Sequence, residues 1–224
     1  ATMKKVPYDV QRELTAVSHL GSTPLVLYVS GASTVQNVRQ LIDAAKAKPE
    51  AANYGSYGNG SSAHVLGEMM VRQTGAKMVH VPYKGVAPEL QALASGELLM
   101  AVADIGTAAP LVKAGRIRPV AVTGTQRSPI LPEVGTFAEQ GITGMEAFSP
   151  WWGLFAPQAT PRAIVDQLSG EIAKIVKNPE FRTRLLGFGI DPTGTTSAQA
   201  NELTRGDMAR WQAIIRDVSY ISFE

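Results

Sequence analysis

As far as Val122, short uninterrupted apolar runs alternate with stretches whose apolar positions recur at helical spacing. Glycine, proline or small polar residues punctuate the two. Thr23 to Val29 reads Thr-Pro-Leu-Val-Leu-Tyr-Val, a buried strand ended by Ser30-Gly31. Ser33 or Thr34 then offers a capping oxygen to a helix with Val38, Leu41, Ile42 and Ala45 on one face. Asn53-Tyr54-Gly55 predicts a short strand, and Val65, Leu66, Met69 and Met70 predict the inner face of a helix stopped by Gly75. Met78 to Pro82 is the next strand, Val86 to Ala94 a helix stopped by Gly96, and Leu98 to Ala103 a strand ending at Asp104. A short helix from Ala108 to Ala114 and a strand from Ile117 to Val122 complete the series.

This alternation predicts βαβ units, a mainly parallel sheet and right-handed crossovers that lay helices on its faces. Ligands of such sheets bind beyond the carboxyl ends of the strands. Three loops fall there: Tyr57 to Ser62, Tyr83 to Gly85, and Asp104 to Thr107. Ser128 to Gly144, rich in Pro and Gly, reads as a long surface connection, and Pro150 to Pro157 as a strand. The rest reads as three helices. The first opens at Thr160-Pro161 with a stripe of Ile164, Leu168, Ile172 and Ile175. The second opens at Asn178-Pro179. The third is capped by Ser197, with Ala200, Leu203, Trp211, Ile214 and Val218 inward.

Composition narrows the function. The chain has 224 residues and a net charge of +2, with no basic run interleaved with aromatics, which argues against nucleic acid. It has no cysteine, and His19, His64 and His80 lack ligand spacing, so neither thiolate chemistry nor a metal site is expected. No apolar run reaches the length of a membrane span. The beginning of the chain lacks the charged-then-apolar pattern of a signal peptide, so such a leader was removed or the chain starts downstream of one.

The most informative loop is Tyr57-Gly58-Asn59-Gly60-Ser61-Ser62, between a strand and a helix. Its glycines let a ligand approach the backbone, and the helix start offers unpaired amides and the positive end of a dipole. Ser61 and Ser62 add hydroxyls, giving a carboxylate or phosphate cradle that needs no arginine. The plainer alternative is a capped turn. Gly58, Gly60 and Ala63 also match a loose dinucleotide-binding pattern, but the acidic residue expected about twenty positions on is absent. Tyr83, Lys84 and Gly85 stand there, offering a phenol, an ammonium and an amide; the balance for Lys84 favours a solvated side chain. Asp104 either caps the next helix or meets a donor group of a ligand, capping being the commoner role. His64 reads as a partly exposed helix residue with no triad around it, and His80 as a satisfied strand histidine. Of Trp151 and Trp152, on opposite faces of a strand, one is expected in a core and the other in a cleft.

Together, Lys5-Val6-Pro7-Tyr8-Asp9, Asn53 to Ser62, Val79 to Gly85, Ala121-Val122-Thr123, Trp151 to Pro157 and Thr160-Pro161 resemble, in order and spacing, the Bug family of solute-binding receptors of tripartite tricarboxylate transporters. The resemblance implies an α/β fold of the periplasmic-binding-protein type (type II, Venus flytrap), without catalysis or cofactor. It implies capture of a small carboxylate in the periplasm, closure of two lobes on the ligand, and delivery to the membrane permease subunits. Carried over by position, Tyr57 to Ser62 and Tyr83 to Gly85 look like carboxylate anchors, and Asp104 like the residue facing the ligand's distal group. Residues 30–144 are expected to form a complete lobe. Residues 1–29 and 145–224 would be the remnant of the other lobe with the C-terminal helices, and Thr23–Val29 and Trp151–Ala156 would serve as hinge strands. Against the family pattern the chain starts late, so the N-terminal lobe is expected to be incomplete. Losing two or three charge-assisted bonds of about 1.5–3 kcal/mol each would weaken binding by a factor of hundreds or more. The lobe's exposed apolar surface would then invite a partner chain, a swapped segment or a homo-oligomer. The rival expectations are a truncated form that binds nothing and acts through assembly, and, less favoured, a dinucleotide-binding enzyme.

Overall fold

The computed structural model describes residues 9–218; the Lys5–Tyr8 part of the first motif lies outside them. In chain order the elements begin with α1 (Val10–Glu13), β1 (Leu14–Ser22), β2 (Leu25–Ser30), α2 (Val38–Ala47), β3 (Asn53–Ser56), α3 (Ser62–Thr74), β4 (Val79–Pro82) and α4 (Val86–Ser95). They continue with β5 (Met100–Asp104), α5 (Ile105–Lys113), β6 (Ile117–Val122), β7 (Trp151–Pro157), α6 (Arg162–Lys177), α7 (Pro179–Gly187), β8 (Asp191–Pro192) and α8 (Ser197–Asp217). The described residues divide into two compact units: 24–150, and 9–23 together with 151–218.

The 24–150 unit is a five-stranded sheet in the order β4-β3-β5-β2-β6 with helices on both faces. The apolar runs that announced β2 and β5 are buried on both sides. Leu25 to Val29 and Met100 to Ala103 are all 1% exposed or less, as strands covered by helices on each face must be. Tyr54 and Gly55 show the two faces of β3: Tyr54 Oη donates to Glu68 on α3, whereas Gly55 lies against Leu98 and Glu89 of the opposite layer. Gly75 and Gly96 end α3 and α4 in the left-handed conformation, where a side chain would be strained.

One expectation needs correction. β3 pairs in parallel with β4 and β5, but β2 runs antiparallel to both β5 and β6. β2 lies wholly inside the 24–150 unit. The chain enters that unit just ahead of β2, at Thr23-Pro24. Its reversal puts the start of β2 at the same sheet edge as the ends of β3, β4, β5 and β6. Thr123 seals that corner: its hydroxyl accepts from the Leu25 amide at 2.8 Å and donates to the Phe148 carbonyl, and its own amide donates to the Leu25 carbonyl at 2.8 Å. The connection after β6 is more than a surface loop, because it buries Phe137, Met145 and Phe148. α2 is capped by Asn37 rather than by Ser33 or Thr34.

The other unit is a three-stranded antiparallel sheet, β7-β1-β8, with α6, α7 and α8. The apolar pattern had not revealed β1. Its inward positions include Ser18 and His19, which bond to the distant Thr193 and Thr195. Asn201 clasps α8 to this strand, accepting from the Ala16 amide and donating to the Ala16 carbonyl, both at 3.1 Å. α6 turns inward the face adjoining the one expected, with Ile172 part-buried at the border between the two. Val165, Ser169 and Val176 are buried, while Ile164, Leu168 and Ile175 remain exposed, as do Trp152 and Leu154 on β7. Neither tryptophan is a core residue: Trp151 is half-buried, with its Nε1 donating to Asp207.

Candidate functional site

Three helices begin within a few residues of a strand end, and those strands point the same way. β3 leads through residues 57–61 into α3, β4 through 83–85 into α4, and β5 directly into α5. The positive ends of three helix dipoles therefore gather at one sheet edge, in the order α4, α3, α5. α3 leaves to one face and α4 to the other, as the Tyr54 and Gly55 contacts show, so the strand ends meet the condition under which open α/β sheets bind ligands. The fold brings all of the sequence-derived candidates to this edge.

Within the first loop the donors divide. The Gly58 amide donates to Ser56 Oγ at 3.3 Å, the Gly60 amide to His64 Nδ1 at 3.1 Å, and the Ser61 amide to the Gly58 carbonyl at 3.2 Å. Ser61 Oγ caps α3 by accepting from the His64 amide. Tyr57 Oη and Ser62 Oγ share a 2.5 Å hydrogen bond, and burial pushes the Tyr57 phenol well above its usual range. Half of the supposed amide cradle thus serves to fix the loop. The Asn59 and Ser62 amides take no partner among the described residues, nor do those of Val86 and Ala87 at the start of α4 or of Gly106 in the first turn of α5. The loop Tyr83-Lys84-Gly85 is tied to the first by the Tyr83 amide, which donates to the Ser56 carbonyl at 2.8 Å. Lys84 is exposed and makes no ion pair among the described residues, and Gly85 caps α4 at φ 111° without a side-chain bond. Asp104 is half-buried and caps α5, its Oδ1 accepting from the Thr107 amide at 2.8 Å.

Other residues that shape the site were not singled out by the sequence. Ser56, fully buried, folds the first loop by donating to the Gly58 carbonyl, and it also meets His80 Nε2 at 2.7 Å. His64 is buried rather than partly exposed, and its ring stacks on His80 at 3.7 Å and 9°. Burial lowers the pKa of both histidines, His80 to about 4 with His64 contributing, so the Gly60 amide finds a neutral imidazole acceptor. Glu89, on α4, is completely buried beneath the edge. The signal for it was present, since Glu89 falls in the helical stripe Val86, Leu90, Leu93. No group of three or more His, Asp or Glu side chains among the described residues could hold a metal ion. No helix among them is long and apolar enough to cross a membrane.

The family model of the tripartite tricarboxylate transporter family receptor, TctC, matches residues 1–220. A protein encoded in the tcbD-tcbE intergenic region of Pseudomonas sp. (strain P51) is 32% identical over 94% of this chain and 63% of its own length. BugT of Bordetella pertussis is 28% identical over 96% of this chain and 66% of its own. The chain thus spans a little under two thirds of these relatives. Among solved structures, an R. palustris protein with adipate is 31% identical and superposes with a TM-score of 0.89, covering 96% of this chain and 72% of that one. MatC of Rhodopseudomonas palustris with bound malate, 24% identical, shares the fold at a TM-score of 0.83 over 96% and 74%. These are binding proteins and not enzymes, and the periplasmic-binding-protein fold expected from the sequence is the one they share. The chain belongs to the TctC family, the receptors of tripartite tricarboxylate transporters.

Proposed function

We propose that this chain captures a small organic carboxylate outside the cytoplasm and presents it to the permease subunits of a tripartite transporter. The observation that carries this reading is the convergence of the α3, α4 and α5 N-termini at one sheet edge, with amide donors on each that take no partner among the described residues. Such an edge attracts an anion without a fixed cation, and each helix end contributes about 0.3–2 kcal/mol. Ser61, Ser62 and the Asn59 amide serve one carboxylate oxygen, and the starts of α4 and α5 the other or a second carboxylate. Lys84 adds long-range attraction from its exposed position. In support, the R. palustris relative was solved with adipate, a small dicarboxylate. Periplasmic placement and delivery to a permease follow from the family in the same sense.

The test is calorimetric and thermal titration of the chain with adipate, malate, glutamate and benzoate. Binding of at least one acid, weakened by Ser62→Ala, is expected. Absence of any heat or melting shift up to millimolar acid refutes the reading.

A further inference from the structure

Under the anion-attracting edge lies a carboxyl group that an anion site would not be expected to contain. Glu89 is 0% exposed. Its Oε1 accepts from the Val102 amide at 3.2 Å, and its Oε2, equally buried, has no hydrogen-bond partner. Gly55 makes the room: a Cβ there would stand 3.0 Å from Glu89 Cγ and 3.4 Å from Oε1. The β3–β5 ladder runs through Tyr54↔Met100 and Gly55↔Ala101, and Val102, the next residue of β5, gives its amide to Glu89. The carboxyl therefore occupies the gap where the two strands part, just past the last β3–β5 pair.

The groups that face Glu89 come from each of the site's segments. Tyr57 after β3, Tyr83 after β4 and Asp104 at the end of β5 all respond to its charge or act on it, and Tyr28 on β2 responds to Asp104 behind them. None of these groups is cationic, and no ion pair among the described residues includes Glu89. A charge at this position would have a single amide as its compensation, and it would oppose the helix dipoles above it. Burial pushes its pKa up to about 8, the Val102 amide opposing and Asp104 reinforcing the rise.

We propose that Glu89 is a specificity-determining residue of the carboxylate site: held as a neutral carboxylic acid, it leaves the positive potential of the three helix ends uncancelled, and its ionisation closes the site to anions. This rests on the receptor reading above. A bound anion and a charged Glu89 repel each other, so anion binding and Glu89 protonation favour one another by the same factor. Above pH 8, capture of the anion is accompanied by uptake of one proton, and affinity falls by up to about tenfold per pH unit.

Adipate titration of the wild-type chain and of Glu89→Gln at pH 6.5 and 9.5 tests the proposal. Glutamine keeps the shape and the acceptor for Val102 but cannot ionise. The wild type is expected to lose about tenfold or more in affinity across that range, and Glu89→Gln less than about threefold. A wild-type affinity that is flat with pH, or a Glu89→Gln variant that loses as much, overturns the proposal. A second measurement needs no ligand: carbon NMR of side-chain-labelled glutamate should show one carboxyl titrating far above the others, absent in Glu89→Gln. If that resonance titrates with the ordinary carboxyls, the proposal falls whatever binds. If it titrates high but no acid binds at pH 6.5, the receptor reading fails and the proposal with it, while the buried neutral carboxyl stands.

Discussion

The stacked histidines make the loop between β3 and α3 sensitive to acid. His80 lies on β4 with its ring flat against His64 and its Nε2 on Ser56 Oγ, the hydroxyl that folds the Gly58 turn. Burial first, and His64 second, bring its pKa from 6.5 to about 4. The unfolded chain takes up a proton near pH 6.5 that the folded chain refuses until about pH 4. The stabilisation is therefore complete above 6.5 and is lost as pH falls toward 4. At about 1.4 kcal/mol per pH unit the full window is worth roughly 3 kcal/mol, and solvent access to the half-buried ring reduces this to about 1–2 kcal/mol. His80→Gln keeps a hydrogen-bonding group toward Ser56 but does not titrate. Urea unfolding followed by circular dichroism at pH 7.5 and 4.5 should show the wild type losing about 1–2 kcal/mol more than the variant. Equal losses, or a His80 ring that titrates at 6.5 or above by proton NMR, would refute the reasoning.

Two further outcomes follow from packing. Gly67→Ala on α3 would drive a Cβ to 2.2 Å from Tyr54 Cε2, a ring that is fully buried and tethered to Glu68. It should destabilise by about 3 kcal/mol despite alanine's better helix propensity. Gly170→Ala on α6 meets nothing within 4 Å and should instead stabilise by about 0.5–1 kcal/mol, so denaturant midpoints of the pair separate packing from propensity. Thr123→Val keeps the shape but removes the hydroxyl that accepts from Leu25 and donates to Phe148. A loss of about 1–3 kcal/mol, with faster hydrogen exchange at the Leu25 amide, is expected.

How much of this was legible in the sequence depended on whether the deciding contacts were local. β2 and β5 announced themselves because strands covered on both faces are apolar throughout, and the helix stops at Gly75 and Gly96 because a left-handed cap selects glycine. The three site loops could be placed at strand ends from the alternation alone. β1 could not, since its polar inward positions are satisfied by Thr193 and Thr195 from the far end of the chain. The α6 stripe of Ile164, Leu168, Ile172 and Ile175 was turned by part of a revolution: the positions Ile164, Leu168 and Ile175 are the more apolar, yet Val165, Ser169 and Val176 on the other side of Ile172 are the ones buried. The His64–His80 stack joins two elements that a βαβ crossover brings together. The burial of Glu89 depends on the absence of a side chain at Gly55, on another layer of the unit.

The reversal of β2, the feature the sequence pattern missed, bears directly on how this edge would work. Had β2 run parallel to its neighbours, the chain would enter the 24–150 unit at the opposite edge from the three helix ends. Instead Leu25 at its start pairs with Asp104, the cap of α5, and Thr123 binds Leu25 and Phe148 together beside it. Both passages of the chain out of this unit, ahead of Pro24 and beyond Pro150, therefore leave from the end of the sheet at which α3, α4 and α5 begin.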